Sequence, residues 1–301
     1  MIKDLKTRFI FNPRSGHNAR NPYLLEHARQ FVAEHSLNAE VVLTERPRHA
    51  TELAQRAIDD GCELVVAIGG DGTMNEVACA LVGTETALGL IPCGSGNGLG
   101  RHLGIPGPGK GAFRTLLDGK PRPIDTGLAN GIPFFNAMGI GFDAEISDRF
   151  NRLSRRGLEA YARTAISAFF RFRPQVCTIL NGSSKLLTSA FIVSIANSDQ
   201  YGNDCFIAPG AQVDDGRLNV TVIKKVNVFN ALPIAVRLFT RSIDGSRSVQ
   251  RLSGSHFVIE RKFSGLLHTD GETHQVGAII EVSVRPRSLR IMVPPKTTEN
   301  L

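Results

Sequence analysis

With 301 residues and 42% hydrophobic content, the chain can bury one large core or two smaller ones. No apolar run approaches the roughly 20 residues of a membrane-spanning helix, and the charged start, Met1 to Arg8, leads into a strand instead of a leader peptide, so a cytoplasmic protein is expected. A surplus of 35 Lys and Arg over 28 Asp and Glu gives +7 and favours anionic partners. With no Trp, 3 Tyr and no nucleic-acid motif, the balance points to a nucleotide or an anionic membrane surface and away from nucleic acid.

Arg8-Phe9-Ile10-Phe11 reads as a first strand, ended by the turn Asn12-Pro13-Arg14-Ser15-Gly16. Asn21-Pro22 supplies an N-cap and an N1 proline for a helix to about Glu34, with Leu24, Leu25, Ala28, Phe31 and Val32 inward. A strand over Glu40 to Leu43 delivers Thr44, and a helix from about His49 to Asp60 stops at Gly61. Leu64-Val65-Val66-Ala67-Ile68 then reads as a buried parallel strand running into Gly69-Gly70-Asp71-Gly72-Thr73-Met74-Asn75-Glu76. Helical periodicity follows after Thr73, with Met74, Val77, Ala78, Leu81 and Val82 on one face. Glycines let backbone N–H groups approach a phosphate, and a helix N-terminus adds partial positive charge. Asp71 inside that turn has a use where a metal or a proton donor is also present, which favours a metal–nucleotide site. The spacing is neither G-x-G-x-x-G nor a P-loop, and a plain strand–turn–helix connection stays open. The strand Ala87 to Pro92 leads to a second glycine-rich stretch, Cys93-Gly94-Ser95-Gly96-Asn97-Gly98-Leu99-Gly100-Arg101. A helix from about Gly111 to Leu117 closes a doubly wound α/β domain, and Pro121-Arg122-Pro123 reads as its boundary.

Beyond it, short β-type runs with turn signals between them suggest a β-sandwich: Pro133–Ala137, Val176–Leu180, Ala190–Ala196, Leu218–Ile223, His256–Glu260 and Ile279–Val284. Two helices interrupt the pattern. One, about Ser147 to Phe172, is basic (Arg149, Arg152, Arg155, Arg156, Arg163, Arg171, Arg173) over an apolar face (Leu153, Leu158, Tyr161, Ala165, Ile166, Phe169, Phe170). It suits either an anionic bilayer or a solvated face over a core. The other is about Val228 to Phe239. Asp214-Asp215-Gly216-Arg217 and His268-Thr269-Asp270-Gly271-Glu272 each read, taken alone, as an Asp-Gly turn, with His268 and His274 as loop residues. Leu289 to Val293 is a last strand, ended by Pro294-Pro295. The five cysteines (Cys62, Cys79, Cys93, Cys177, Cys205) form no C-x-x-C pair and read as buried, reduced thiols.

Asn12 to Gly16, Gly69 to Glu76, Cys93 to Arg101, Asp125 and Asp270-Gly271-Glu272, in this chain order, together resemble the diacylglycerol kinase catalytic family, which includes bacterial lipid kinases and sphingosine kinases. More distant relatives are NAD kinases and phosphofructokinases. The resemblance implies an ATP-binding α/β domain over residues 1–122, joined by a returning tail at 286–301, and a β-rich, sandwich-like lipid-substrate domain at 123–285. It implies ATP contacts from Asn12, Thr44, Gly69, Gly70, Asp71, Gly72, Thr73, Met74, Asn75, Ser95, Asn97 and Glu272. Mg²⁺ is expected near Asp71 and Asp125, and a structural Mg²⁺ at Asp215 with carbonyls of Gln212 and Arg217. Asp270 is expected as the general base toward a lipid hydroxyl of diacylglycerol or sphingoid type. One departure is Gly98, where many bacterial diacylglycerol kinases carry an aspartate and sphingosine kinases do not. The expected protein is a cytoplasmic lipid kinase touching an anionic membrane peripherally, with a homodimer left open. Two rivals stand beside it: a kinase of a soluble substrate in the manner of NAD kinase, and a non-catalytic nucleotide- or lipid-binding regulator, which Gly98 admits.

Overall fold

The computed structural model describes residues 2–21, 23–152 and 158–295. They fall into two compact units, one running to Ile124 and resuming at Arg287, the other Asp125–Pro286. In the first unit, β1 (Thr7–Phe11), α1 (Tyr23–Glu34), β2 (Ala39–Leu43), α2 (His49–Asp59), β3 (Leu64–Gly69), α3 (Asp71–Leu81), β4 (Ala87–Pro92), α4 (Gly98–His102) and α5 (Lys110–Asp118) follow one another. The strands are parallel in the order β2-β1-β3-β4. Every residue of β3 and β4 is buried, because helices cover both faces of a parallel sheet, and this is why both read as unbroken apolar runs. On α1, Leu24, Ala28 and Phe31 turn inward, and Phe31 meets Phe9 and Phe113. Pro22 lies outside the described residues. From β1 the chain moves outward to β2, then returns across β1 to β3. The loops leaving β1 and β3 therefore diverge, the arrangement that opens a ligand crevice at the carboxyl ends of the strands.

The second unit holds β5 (Lys120–Ala129, begun in the first unit), β6 (Ile132–Phe134), β7 (Ala137–Gly141), α6 (Phe142–Asn151), α7 (Leu158–Phe169), β8 (Gln175–Asn181), β9 (Ser184–Ala190), β10 (Ile192–Ala196), β11 (Leu218–Ile223), α8 (Val228–Phe239), β12 (Val249–Gly254), β13 (His256–Arg261), β14 (Gly265–Thr269), β15 (Glu272–Val276) and most of β16 (Ile279–Val293). One sheet is antiparallel in the order β12-β11-β10-β7-β14-β15. The facing sheet sets β13 between β8 and the start of β16, with β9 beyond β8. Alternation builds the sandwich: Val193 and Ile195 of β10 enter the inter-sheet core with Phe257, Ile259, Ile280 and Val282, while Ile192 and Ala196 face the helices. The end of β16 lies in the first unit, where Arg290 and Ile291 pair in parallel with Ala87 and Leu88 of β4.

The mixed α/β and sandwich-like architecture agrees with the expected fold, and several boundaries move. α3 begins at Asp71, three residues before the expected start at Met74, with Gly70 as its N-cap. Pro121-Arg122-Pro123, read as a boundary, lies within β5, and the two units divide just after it, between Ile124 and Asp125. The single basic helix expected over 147–172 is two helices, α6 and α7. Leu153, Arg155 and Arg156 lie outside the described residues, as do the side chains of Leu158 and Tyr161. Ile166 and Phe170, on the apolar face read as meeting either a bilayer or a core, are exposed. His268 and His274 sit in β14 and β15, not in loops. The cysteines form no disulfide; Cys62, Cys93 and Cys177 are buried, Cys79 and Cys205 half-buried. Among the described residues, no helix is long and apolar enough to cross a membrane.

The Phe134 ring covers Gly127 in its neighbouring strand so closely that a Cβ there would enter the ring. Both residues are buried. We expect Gly127→Ala to cost at least the ~1–3 kcal/mol of ordinary overpacking, seen as a lowered Tm. Combining it with Phe134→Ala should be clearly less than additive in thermal unfolding.

Candidate active site

Three loops of the first unit leave the carboxyl ends of β1, β3 and β4, and backbone-directed side chains fasten them together. After β1, Asn12 donates its backbone N–H to the Ile68 carbonyl, and its side chain accepts from the Arg14 N–H and donates to Thr73 Oγ1 at 2.7 Å. Asn18, only 4% exposed, donates to the carbonyls of Asn12 and Ile68. After β3, Gly70 caps α3 without a side-chain hydrogen bond, and a helix N-terminus left uncapped in this way suits an anion. After β4, Asn97 adopts a left-handed conformation (φ 52°), and its amide side chain both accepts from and donates to the backbone of Gly94 at 2.8 Å. The second and third loops are joined through Asp71. Its two carboxylate oxygens accept the N–H groups of Asn97 (2.9 Å) and Gly98 (3.0 Å). A narrow pocket lined by Gly69, Gly70, Asp71, Met74, Pro92 and Asn97 lies at this junction.

The other expected nucleotide contacts vary in placement. Thr44 is buried past the end of β2, its N–H on the Phe11 carbonyl. Met74 is buried in α3, Asn75 accepts from the Cys79 thiol, and Ser95 is exposed. Glu76 has a role the sequence reading did not give it. Its carboxylate accepts the N–H groups of Arg48 and Ala50 and its carbonyl accepts from Thr51 Oγ1, so α3 supplies the N-terminal cap that Arg48 cannot give α2.

In the second unit, Asp270-Gly271 forms a two-residue hairpin turn between β14 and β15, both residues at positive φ (50° and 86°), the geometry of a type I′ turn. The Asp270 carboxylate turns back onto the break between β6 and β7, accepting the N–H groups of Phe135 (2.8 Å), Asn136 (2.8 Å) and Ala137 (3.0 Å). Burial pushes its pKa from 3.8 up to about 6, against the pull of those three donors and of nearby His268. Behind the turn, buried Asp143 accepts from Tyr201 Oη (3.0 Å) and pairs with His268 Nε2 (3.2 Å). The Gly271 N–H points at His268 Nδ1, which assigns the imidazole proton to Nε2. Burial, with Asp143 beside it, raises the Tyr201 phenol well above 10.

Asp125, 1% exposed, accepts the Gly216 N–H at 2.7 Å and donates its own N–H to the Val213 carbonyl. Asp215 accepts the Arg217 N–H in a local turn. Asp125, Gln212, Asp215 and Arg217 thus all lie on or against one loop. Among the described residues, no cluster of three or more His, Cys, Asp or Glu side chains is arranged to hold a metal ion.

The model of the diacylglycerol kinase catalytic domain matches residues 6–129, and that of the YegS C-terminal NAD kinase beta sandwich-like domain matches residues 136–293. A Bacillus subtilis protein named diacylglycerol kinase is 32% identical over 241 residues, covering 76% of this chain and 77% of its own. The chain belongs to the diacylglycerol kinase catalytic-domain family. A Klebsiella pneumoniae relative named "Probable lipid kinase YegS-like" is 27% identical over 288 residues, covering 93% of this chain and 94% of its own. The crystal structure of a diacylglycerol kinase from Bacillus anthracis shares the fold, with a TM-score of 0.73 over 96% of this chain and 97% of that one at 20% identity.

In this member of the diacylglycerol kinase family, sequence reasoning passed over Asn18, Glu76, Asp143 and Tyr201. Only Glu76 carried a signal, since an acid in the first turns of α3 can cap a neighbouring helix. Asp143, Tyr201 and His268 meet across separations of 58 and 125 residues without a shared motif. We expect Glu76→Ala to lower stability by about 0.5–2 kcal/mol, the usual cost of a lost cap, while the folded fraction keeps its nucleotide affinity. Asp71→Asn should weaken nucleotide binding as well, because an amide nitrogen would face one of two backbone donors. Paired thermal unfolding and nucleotide titration separate the two cases.

Proposed function

We propose that this chain transfers the γ-phosphate of ATP to the hydroxyl of a lipid alcohol, of diacylglycerol or sphingoid type, with Asp270 as general base. Membership of the diacylglycerol kinase family supports a kinase of this kind. The observation that carries the finer reading is Asp270: an inward-turned carboxylate, held by three N–H groups and raised to about 6, is ionised at neutral pH yet more basic than a free aspartate. A cavity of about 260 Å³ in the same unit, lined by both apolar and polar side chains, suits an acceptor that carries an apolar tail. Ile140, Phe172, Cys177, Val193 and Leu266 line it, with Glu145 and Arg261 as charged neighbours, and it opens at the far end of the hairpin that carries Asp270.

For the nucleotide, the N–H groups from Gly70 to Thr73 would bind phosphate oxygens, with Gly69, Asn12 and Asn97 fixing the loops. Thr44, Met74, Asn75, Ser95 and Glu272 are further contacts. Mg²⁺ would supply charge neutralisation between phosphate oxygens. The donor set fits such an ion, which takes one or two carboxylates and leaves the rest of its shell to phosphate and water. Asp71 would be the protein ligand, because each of its oxygens has spent one acceptor position on an N–H and keeps another. Asp215, with the carbonyls of Gln212 and Arg217, would hold a second, structural cation on its loop; Asp125, expected beside the nucleotide's metal, lies instead against this loop through the Gly216 N–H. Orientation and charge neutralisation then carry most of the rate.

Radiolabelled ATP incubated with a total lipid extract tests the reading: label should enter a lipid product. Label entering NAD instead would overturn it. Asp270→Asn should cut transfer by about 10²- to 10⁴-fold with nucleotide affinity retained. Wild-type turnover should fall about tenfold per pH unit below pH 6, and that limb should vanish in the variant. Stability runs the opposite way with pH. A carboxyl raised in the folded state contributes fully below about pH 4 and loses that contribution as pH rises through 6. Denaturant melts between pH 4 and 7 should show the decline in wild type and a flatter profile in Asp270→Asn.

A further inference from the structure

α8 carries its apolar residues on the wrong side for a core. Phe229 is 91% exposed and Leu232 71%, and Val228, Val236 and Phe239 are at least half exposed. At 100° per residue these five fall within an arc of about 100°, and Ile234, the buried residue of the helix, lies opposite. The helix is thus anchored through Ile234 into the cluster over β10 and β11 while a second apolar stripe faces outward. It is also well formed. Asn227 and Asn230 make a reciprocal capping box, and Arg237 donates to the Ser242 carbonyl just beyond the C-terminus.

The charge around it is one-sided. From Lys224 to Arg251 the sequence has six basic residues and a single acid, Asp244, which is itself paired with Arg251 at 2.6 Å. Lys225, Arg241 and Arg247 are exposed on the segments entering and leaving the helix. Exposed Ile166 of α7 and Phe170 just after it add to the same side of the unit, since Ile192 and Val226 pack in both the cluster under α7 and that under α8. A large apolar stripe rimmed by cations matches an anionic bilayer, whose headgroups meet the lysines and arginines while the aromatic rings sink below them.

We infer that the outer face of α8 docks this protein onto anionic membranes. The choice of a bilayer as occupant rests in part on the lipid-kinase reading, because an enzyme drawing its acceptor from a bilayer must approach that surface. The basic surround argues separately, since a second copy would bring its own cations against these.

Full-length protein should float with vesicles of phosphatidylcholine mixed with phosphatidylglycerol, float far less with phosphatidylcholine alone, and release as salt rises. Phe229→Ser with Leu232→Ser should lower the binding by at least tenfold. Because the chain has no tryptophan, Phe229→Trp gives a single reporter, whose emission should shift blue on mixed vesicles and be quenched by brominated lipid. Lys225→Glu with Arg247→Glu, which leaves the apolar stripe intact, should weaken binding to mixed vesicles most at low salt. Unshifted indole emission from the Phe229→Trp variant at saturating vesicle overturns the inference, as does a dimer by sedimentation that the serine pair dissociates. Vesicle binding needs neither ATP nor an acceptor. Lost binding with intact transfer to a dispersed short-chain diacylglycerol therefore overturns only the docking face, and intact binding without transfer to any lipid overturns only the kinase reading.

Discussion

The bond pattern at Asp71 holds the first unit's loops in register. The carboxylate at the start of α3 grips the N–H groups of Asn97 and Gly98 at the start of α4, so two helix N-termini and two glycine-rich loops converge on one side chain. The glycines follow from that convergence. A Cβ on Gly96 would fall 2.9 Å from Asp71 Oδ2, and one on Gly94 would fall 2.7 Å from Asn97 Oδ1 and 2.9 Å from the Gly70 backbone. Glycine at these two positions makes room for the protein's own carboxylate and amide. Gly98 belongs to the same arrangement: its N–H is a partner of Asp71, so that position takes part in the loop junction through its backbone without an acidic side chain.

Much of the first unit was legible because its physics is local. β3 and β4 are buried on both faces and announce themselves as apolar runs, and helix stops such as Gly61 need a left-handed residue at a known place. α8 was equally plain from its periodicity. The second unit was harder. β12, β14 and β15 are short; β12 and β15 are largely half-buried, and β14 buries a histidine, His268, so alternation is blurred in all three. His268 looked like part of a turn because Asp-Gly follows it, yet the type I′ turn needs only two residues and leaves the histidine in the strand. The basic pattern over 147–172 is continuous in sequence, which hides the division between α6 and α7. Exposure on α7 and α8 was illegible in principle, since an apolar stripe at helical spacing looks the same whether it meets a core or water.

Three aspartates anchor turns in this chain by the same device, a carboxylate accepting N–H groups from a distant loop: Asp71 on 97–98, Asp125 on 216, Asp270 on 135–137. Shared architecture does not make them chemically equivalent. At Asp270 two opposed effects meet. Enclosure beside Phe134 and Phe135 would by itself favour the protonated acid, and a carboxyl left wholly protonated at neutral pH cannot accept a proton. Three N–H donors by themselves would drive the pKa below that of a free aspartate. Together they leave it near 6, ionised at neutrality but a stronger base than its type. The strand break at 135–136 is what makes this balance available, because a continuous β6–β7 strand would spend those same N–H groups on a neighbouring strand.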